Sequence, residues 1–193
     1  MEAVTIYRLS ELEGSYIDQA AEVYVDGFYK QLSSLTKDRA KLTRFIAASF
    51  VTRQFFVAVA DDRVVAIAAY STEYQDAQKF DKKTLSELGW LNAWLIALSA
   101  NIKNRKIPSH QCLIESVTTA RDYRGRGIAR QLLTHMVNLK EFEEYTLEVV
   151  DTNIHAVQLY ERLGFEVTRK VKKWLFRKRA GYNETWVMKK LVR

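Results

Sequence analysis

Apolar positions along the chain follow two rhythms, one of two residues and one of three to four. Short runs rich in β-branched and aromatic residues predict strands: VTIYRL (4–9), FFVAVA (55–60), VVAIAAY (64–70), HQCLIESVTT (110–119), YTLEVV (145–150), FEVTRKV (165–171) and TWVMKKLV (185–192). Longer amphipathic stretches lie between them. SYIDQAAEVYVDGFYKQL (15–32) lines up Ile17, Ala21, Tyr24 and Phe28 on one helical face, and KDRAKLTRFIAASF (37–50) repeats the pattern. IARQLLTHMVNLKEF (128–142) predicts a helix with Leu132, Met136 and Leu139 inward, and NIHAVQLYERLG (153–164) a short one stopped by Gly164. Within 71–109, Leu85, Leu88, Leu91, Leu95 and Leu98 predict one more helix, which Pro108 ends.

The resulting order is β-α-α-β-β-α-β-α-β-α-β-β. FFVAVA and VVAIAAY, flanking a short acidic turn, read as a hairpin. Strands 110–119 and 145–150 are joined by a helix and should therefore lie parallel. The class is α+β: a mixed, mostly antiparallel central sheet flanked by helices, with a strand–helix–strand core.

Composition narrows the class of protein. The chain has 193 residues, 48% of them hydrophobic, with seven Gly and one Pro, so a single domain over 1–193 with a substantial core is expected and a Pro/Gly-rich linker is not. Cys112 is the lone cysteine, which excludes an internal disulfide and fits a reducing compartment. The N-terminus lacks the apolar core of a secretory signal, and the most apolar run (90–100) is too short to span a bilayer, so a cytoplasmic protein is expected. Net charge is +7, but residues 168–193 carry ten Lys/Arg against one acid, or +9, and the remainder sums to −2. The basic character belongs to the C-terminal end.

Candidate chemistry begins at RDYRGRGIARQLL (121–133), between a predicted strand and a predicted helix. Its amides lie at a helix N-terminus, where they lack intrahelical acceptors and carry the positive end of the helix dipole. Gly125 and Gly127 let the backbone curl towards a ligand, so the stretch reads as an anion site suited to a pyrophosphate. A glycine turn with solvated arginines is the plainer alternative. Neither G-x-G-x-x-G nor the phosphate-loop pattern is present.

Arg124-Gly125-Arg126-Gly127-Ile128-Ala129 resembles the R/Q-x-x-G-x-G/A signature of the GNAT superfamily of acyl-CoA-dependent N-acetyltransferases. NIHAVQLYERLGF resembles a second segment of that family, N-x-x-A-x-x-L-Y-x-x-x-G-F, at Asn153, Ala156, Leu159, Tyr160, Gly164 and Phe165. The resemblance covers essentially the whole chain and departs most at 71–109 and 172–182. It implies acetyl-CoA as co-substrate, with its pyrophosphate on main-chain amides from Gly125 through Arg126, Gly127, Ile128 and Ala129 to Arg130. It also implies a pantetheine arm along Val117, Thr118 and Thr119, and a cofactor contact from Asn153, which would equally serve as an N-cap.

The same resemblance places Tyr160 near the thioester sulfur as a proton donor; a tyrosine packing its helix onto the sheet is the alternative. An amine is mostly protonated at neutral pH, so a base is expected. Glu115 in LIESVTT is favoured for it, with Glu148 in LEVV as rival and water as a third route. No His or acid is patterned around Cys112, so direct transfer in a ternary complex is expected instead of an acyl-cysteine. His110, His135 and His155 lack metal-ligand spacing, and no metal is expected.

The acceptor is a small-molecule or protein amine not further specified by the sequence. Segments 24–35, 71–100 and 172–182 are candidates to contact it, Trp90 and Trp94 to cover it, and Glu73, Asp76 and Asp81 to attract a cation. Two other readings remain: an acetyl-CoA sensor or scaffold without turnover, and a nucleic-acid-binding domain using RKVKKWLFRKR (169–179). A homodimer is compatible with either, and a membrane partner is not expected.

Overall fold

Strands β1 (Thr5–Arg8), β2 (Phe55–Ala60), β3 (Arg63–Ser71), β4 (Gln111–Thr119), β5 (Glu144–Val150), β6 (Glu166–Lys172) and β7 (Glu184–Leu191) form one sheet in the order β1-β2-β3-β4-β5-β7-β6. The computed structural model describes residues 3–80, 106–172 and 181–192. The predicted helix around 85–98, with Trp90 and Trp94, and the basic stretch 173–180 lie outside the described residues. Helices α1 (Ser15–Leu32) and α2 (Arg39–Ser49) precede the first hairpin; α3 (Ile128–Asn138) joins β4 to β5, and α4 (Ile154–Arg162) joins β5 to β6. All strand pairs are antiparallel except β4–β5, which is parallel as the connecting helix requires.

Local chemistry explains the element ends. Asp61 and Asp62 form the two-residue turn between β2 and β3 with φ of 47° and 57°, the left-handed pair whose twist suits a tight hairpin. Asp38 caps α2 by accepting the Lys41 amide at 2.9 Å. Helix α3 ends at Asn138, short of the predicted 142, and the chain turns through Lys140 at φ 52°. Leu139, expected inward, therefore falls past the last turn and is 42% exposed, while Leu132 and Met136 are buried.

The sheet divides the core by face. Ala66, Ala68 and Tyr70 of β3 join Cys112, Ile114, Tyr145, Leu147 and Met188 beneath α3 and α4. On the other face, Phe55, Val57, Ile67 and Ala69 pack with Ala20 and Val23 of α1. Ala21 and Val25 then join α1 to Leu42, Phe45 and Ile46 of α2. β2 and β3 are covered on both sides, which is why they read as continuous apolar runs instead of alternating ones. Each fully buried Phe, Leu or Ile here contributes about 1.5–3 kcal/mol.

One irregularity positions everything that follows. In the β3–β4 ladder Ala69 opposes Glu115 and Ile67 opposes Thr118, so Ser116 and Val117 together face Ala68. Ser116 takes φ of 58°, and the strand bulges there. Parallel pairing of β4 with β5 stops at Ile114↔Leu147, whereas β5 remains paired with β7 as far as Val150. Beyond Ile114 the sheet is thus split between β4 and β5, leaving a slot that joins its two faces.

Candidate active site

Glu115 and Thr118, three residues apart, would point to opposite faces of a regular strand. The bulge adds one residue, and both face α1, opposite Ala69 and Ile67. Helix α1 approaches so closely that a Cβ on Gly27 would lie 2.8 Å from Thr118 Cβ and 2.9 Å from its Cγ2. At the next residue, Phe28, α1 leaves helical geometry with φ −113° and ψ 17°. Glycine is required here by proximity rather than by dihedral angle.

Beside this crossing is a cavity of about 290 Å³ lined by Ser71, Asp76, Gln78, Glu115, Ser116 and Glu148, with Phe80, Ile107, Leu113 and Ile114 as its apolar wall. Ser71 Oγ donates to Glu115 Oε1 at 2.6 Å and accepts the Ala77 amide at 3.0 Å, which fixes one carboxylate oxygen. The Tyr24 hydroxyl donates to Gln78 Oε1 at 3.2 Å, and Gln78 Nε2 donates to Ser49 Oγ at 3.1 Å. Ser49 Oγ in turn donates to the Ile46 carbonyl at 2.7 Å. Burial pushes the Tyr24 phenol above its ordinary pKa, partly offset by hydrogen bonding to Ser116 and Gln78. Ser71 and Gln78 fall within the candidate segment 71–100 but are not singled out by the sequence, and Ser116 is missed, because isolated polar residues at strand ends, bulges and loops carry no periodic signal. Tyr24 lies on the apolar face of α1 and opens segment 24–35, one of the candidate acceptor-contacting segments, but its hydroxyl has no signal of its own in the sequence.

At the end of β4 the chain passes through a short 3-10 turn, Arg121–Tyr123, into α3. Gly125 and Gly127 have φ of 75° and 78°, and a Cβ built on either meets nothing within 4 Å. Gly127 is the N-cap with no side-chain cap bond, and the first intrahelical bond is Gln131 N–H to Gly127 C=O at 3.1 Å. The amides of Ile128, Ala129 and Arg130 therefore have no acceptor within the helix. Arg124 Nε donates to Thr119 C=O at 3.0 Å, tying the turn to the strand end, and the Arg126 guanidinium lies 4.8 Å from the Tyr123 ring centre. Two of the arginines thus shape the loop itself.

The remaining candidates distribute as follows. Asn153 Oδ1 accepts the Ala156 amide at 3.3 Å, so Asn153 is the N-cap of α4. Tyr160 is 7% exposed among the residues beneath α3 and α4, 6.1 Å from the Phe165 ring, and burial pushes its phenol up to about 12. Glu115 and Glu148 share the cavity on the α1 face, so the slot between β4 and β5 separates them from Tyr160. Cys112 is buried on the α3 face, away from the cavity, and desolvation drives its thiol far above its usual range. Of the three acids proposed to attract a cation, Asp76 lines the cavity, Glu73 pairs with the exposed Tyr74, and Asp81 lies outside the described residues. Among the described residues no helix is long and apolar enough to cross a membrane.

Comparison with known proteins agrees with this architecture. Residues 17–165 match the model of the Acetyltransferase (GNAT) family. No curated protein sequence matches the chain. Among solved structures, a GCN5-related N-acetyltransferase from Kribbella flavida superposes with a TM-score of 0.63 at 20% identity, over 98% of both chains. A ribosomal-protein alanine N-acetyltransferase from Escherichia coli gives 0.59 at 16% identity, covering 98% of this chain and 94% of its own. Ard1 from Thermoplasma volcanium gives 0.58 at 15%, over 99% of both. At such identities the likeness is one of fold, and a family model spanning most of the chain adds the lineage. A split sheet, a glycine-capped helix beside the split and a matching family model lead to one conclusion: this chain belongs to the acetyltransferase (GNAT) family.

Proposed function

We propose that the protein is an N-acetyltransferase that moves an acetyl group from acetyl-CoA to a primary amine by direct attack in a ternary complex. The observation that carries this reading is the slot between β4 and β5, which opens beside the uncapped α3 N-terminus and leads to the carboxylate-lined cavity. The residues present fit the cofactor: Gly125 and Gly127 are left-handed with open space in front of them, and the first-turn amides of α3 suit a pyrophosphate. Gly125, Arg126, Gly127, Ile128, Ala129 and Arg130 would hold that group. Val117, Thr118 and Thr119, beyond the last β4–β5 pair, offer backbone partners for an extended arm. Asn153 bonds Ala156 through Oδ1, which leaves its Nδ2 as the donor for a cofactor contact.

Bound acetyl-CoA supplies the acetyl group already activated as a thioester. On the protein side, Glu115 accepts the ammonium proton of the acceptor on Oε2 while Ser71 holds Oε1. Glu148, on the same cavity, is the alternative base. Tyr160 retains its hydroxyl proton throughout the physiological range and is available to a departing thiolate across the slot. Thiol release from acetyl-CoA across a panel of amines, polyamines, aminoglycosides and peptides tests the proposal. Turnover with any amine supports it; tight acetyl-CoA binding without release on any acceptor indicates a sensor instead.

A further inference from the structure

The acceptor side of the sheet is charged in opposite senses at its two ends. A second cavity, of about 480 Å³, adjoins the first and shares Ile107, Leu113 and Glu148 with it. Where the first is lined by Asp76, Glu115 and Glu148, the second is lined by Lys106, Arg169 and Lys189. Strand register puts the key groups on one transverse row. One step past the last β4–β5 pair come Glu115 and Glu148; Glu148 opposes Val187 of β7, and Val187 opposes Arg169 of β6. A bulge in β6 between Val167 and Arg169 brings Thr168 and Arg169 together to the cavity wall.

The cations at the basic end differ in availability. Lys189 Nζ is 2.6 Å from Glu144 Oε1, so its charge is already answered within the sheet. Among the described residues no ion pair engages Arg169. A guanidinium presents a planar donor fork that matches a carboxylate.

We infer that the acceptor is an extended molecule with its reacting amine at Glu115 and a carboxylate at Arg169, spanning the two cavities across β5 and β7. This rests on the proposed N-acetyltransferase activity and adds the chemical class of the acceptor. Two paired spacings of about 4.8 Å separate Glu148 from Arg169, and the opened β4–β5 step adds at least one more, so Glu115 and Arg169 are about 14 Å apart or slightly more. An extended peptide covers about 3.4 Å per residue, so a free peptide of about four residues has its two termini at that separation. A lone amine or a diamine satisfies only one end, and a diamine brings a like charge to Arg169.

Oligoglycines from glycine to hexaglycine, each as the free acid and as the C-terminal amide, provide the test, with thiol release from acetyl-CoA as readout. For the native protein kcat/KM rises to a maximum at about four residues. Amidation at that length lowers it about tenfold through KM, as expected for loss of a charge-assisted bond. Arg169→Gln makes acid and amide equal, and Arg169→Lys restores a preference for the acid. A structural role for Arg169 would lower both forms alike and leave their ratio intact. Equal rates for acid and amide in the native protein overturn the inference, as does a ratio that survives Arg169→Gln. Release with simple amines but with no oligoglycine overturns this inference alone. Binding of acetyl-CoA with no release on any amine overturns the enzymatic reading and this one with it.

Discussion

Tyr160 is a buried packing residue that we also propose as the proton donor to the departing thiolate. Its ring packs edge-on against Phe165, and the same burial that gives it packing energy raises its phenol to about 12. Tyr160→Phe preserves the ring and removes only the O–H. We expect kcat to fall about 100-fold, as for loss of a general acid, with KM for acetyl-CoA and melting temperature nearly unchanged. Steady-state kinetics and thermal unfolding of the variant check this; full activity would remove Tyr160 from proton transfer. Ser71 acts one bond further out. Because its hydroxyl orients Glu115 Oε1, Ser71→Ala lowers kcat, and the Ser71→Ala/Glu115→Gln double variant is no slower than Glu115→Gln alone. Additive losses in that cycle would separate the two residues.

Helix ends and helix crossings set the next level of constraint. In the proposed cofactor site the α3 N-terminus offers backbone amides, so its geometry is expected to matter more than the charge around it. A β-branched residue at φ 78° is strained by about 1–2 kcal/mol, enough to displace the turn. Gly127→Val should therefore weaken acetyl-CoA binding about tenfold by isothermal titration, and Arg121→Ala much less. Equal losses would mean that bulk charge carries the affinity. The α1–β4 crossing is limited by volume: Gly27→Ala drives a methyl into Thr118 and should cost about 1–3 kcal/mol in denaturant unfolding. Shortening Thr118 to Ala in the same chain should recover part of that loss, since Cγ2 and Oγ1 are then gone.

For the molecule as a whole, buried phenols give an alkaline limit to stability. Tyr160 and Tyr145 are both pushed up to about 12 by burial, against 10.0 for a free phenol. The folded state holds these protons more tightly than the unfolded chain does. Their contribution is complete below about pH 10 and is lost as pH rises towards 12. The melting temperature should fall across that window, and Tyr145→Phe should flatten the fall. A slope unchanged in the variant would assign it to other groups.

Local pattern alone determined a good deal. The seven strands, the four helices that begin near 15, 37, 128 and 153, and the β4–α3–β5 parallel unit all follow from apolar patterning, although the pattern carries α3 to 142, past its end at Asn138. That signal is strong because each element buries one face or both. The glycine-rich turn was legible for the same local reason: Gly125 and Gly127 are needed where φ is positive, whatever surrounds them. The Asn153 cap and the buried setting of Tyr160 are likewise near-neighbour effects. The acceptor side depends on contacts between segments far apart in sequence. Ser71 meets Glu115 across 44 residues, Tyr24 meets Gln78 across 54, and Gly27 meets Thr118 only because α1 crosses β4. The Ser116 bulge, which changes the facing of every later residue in β4, leaves no mark on the apolar pattern. It arises from how β3 and β4 register and where β5 turns away, which only the folded sheet decides.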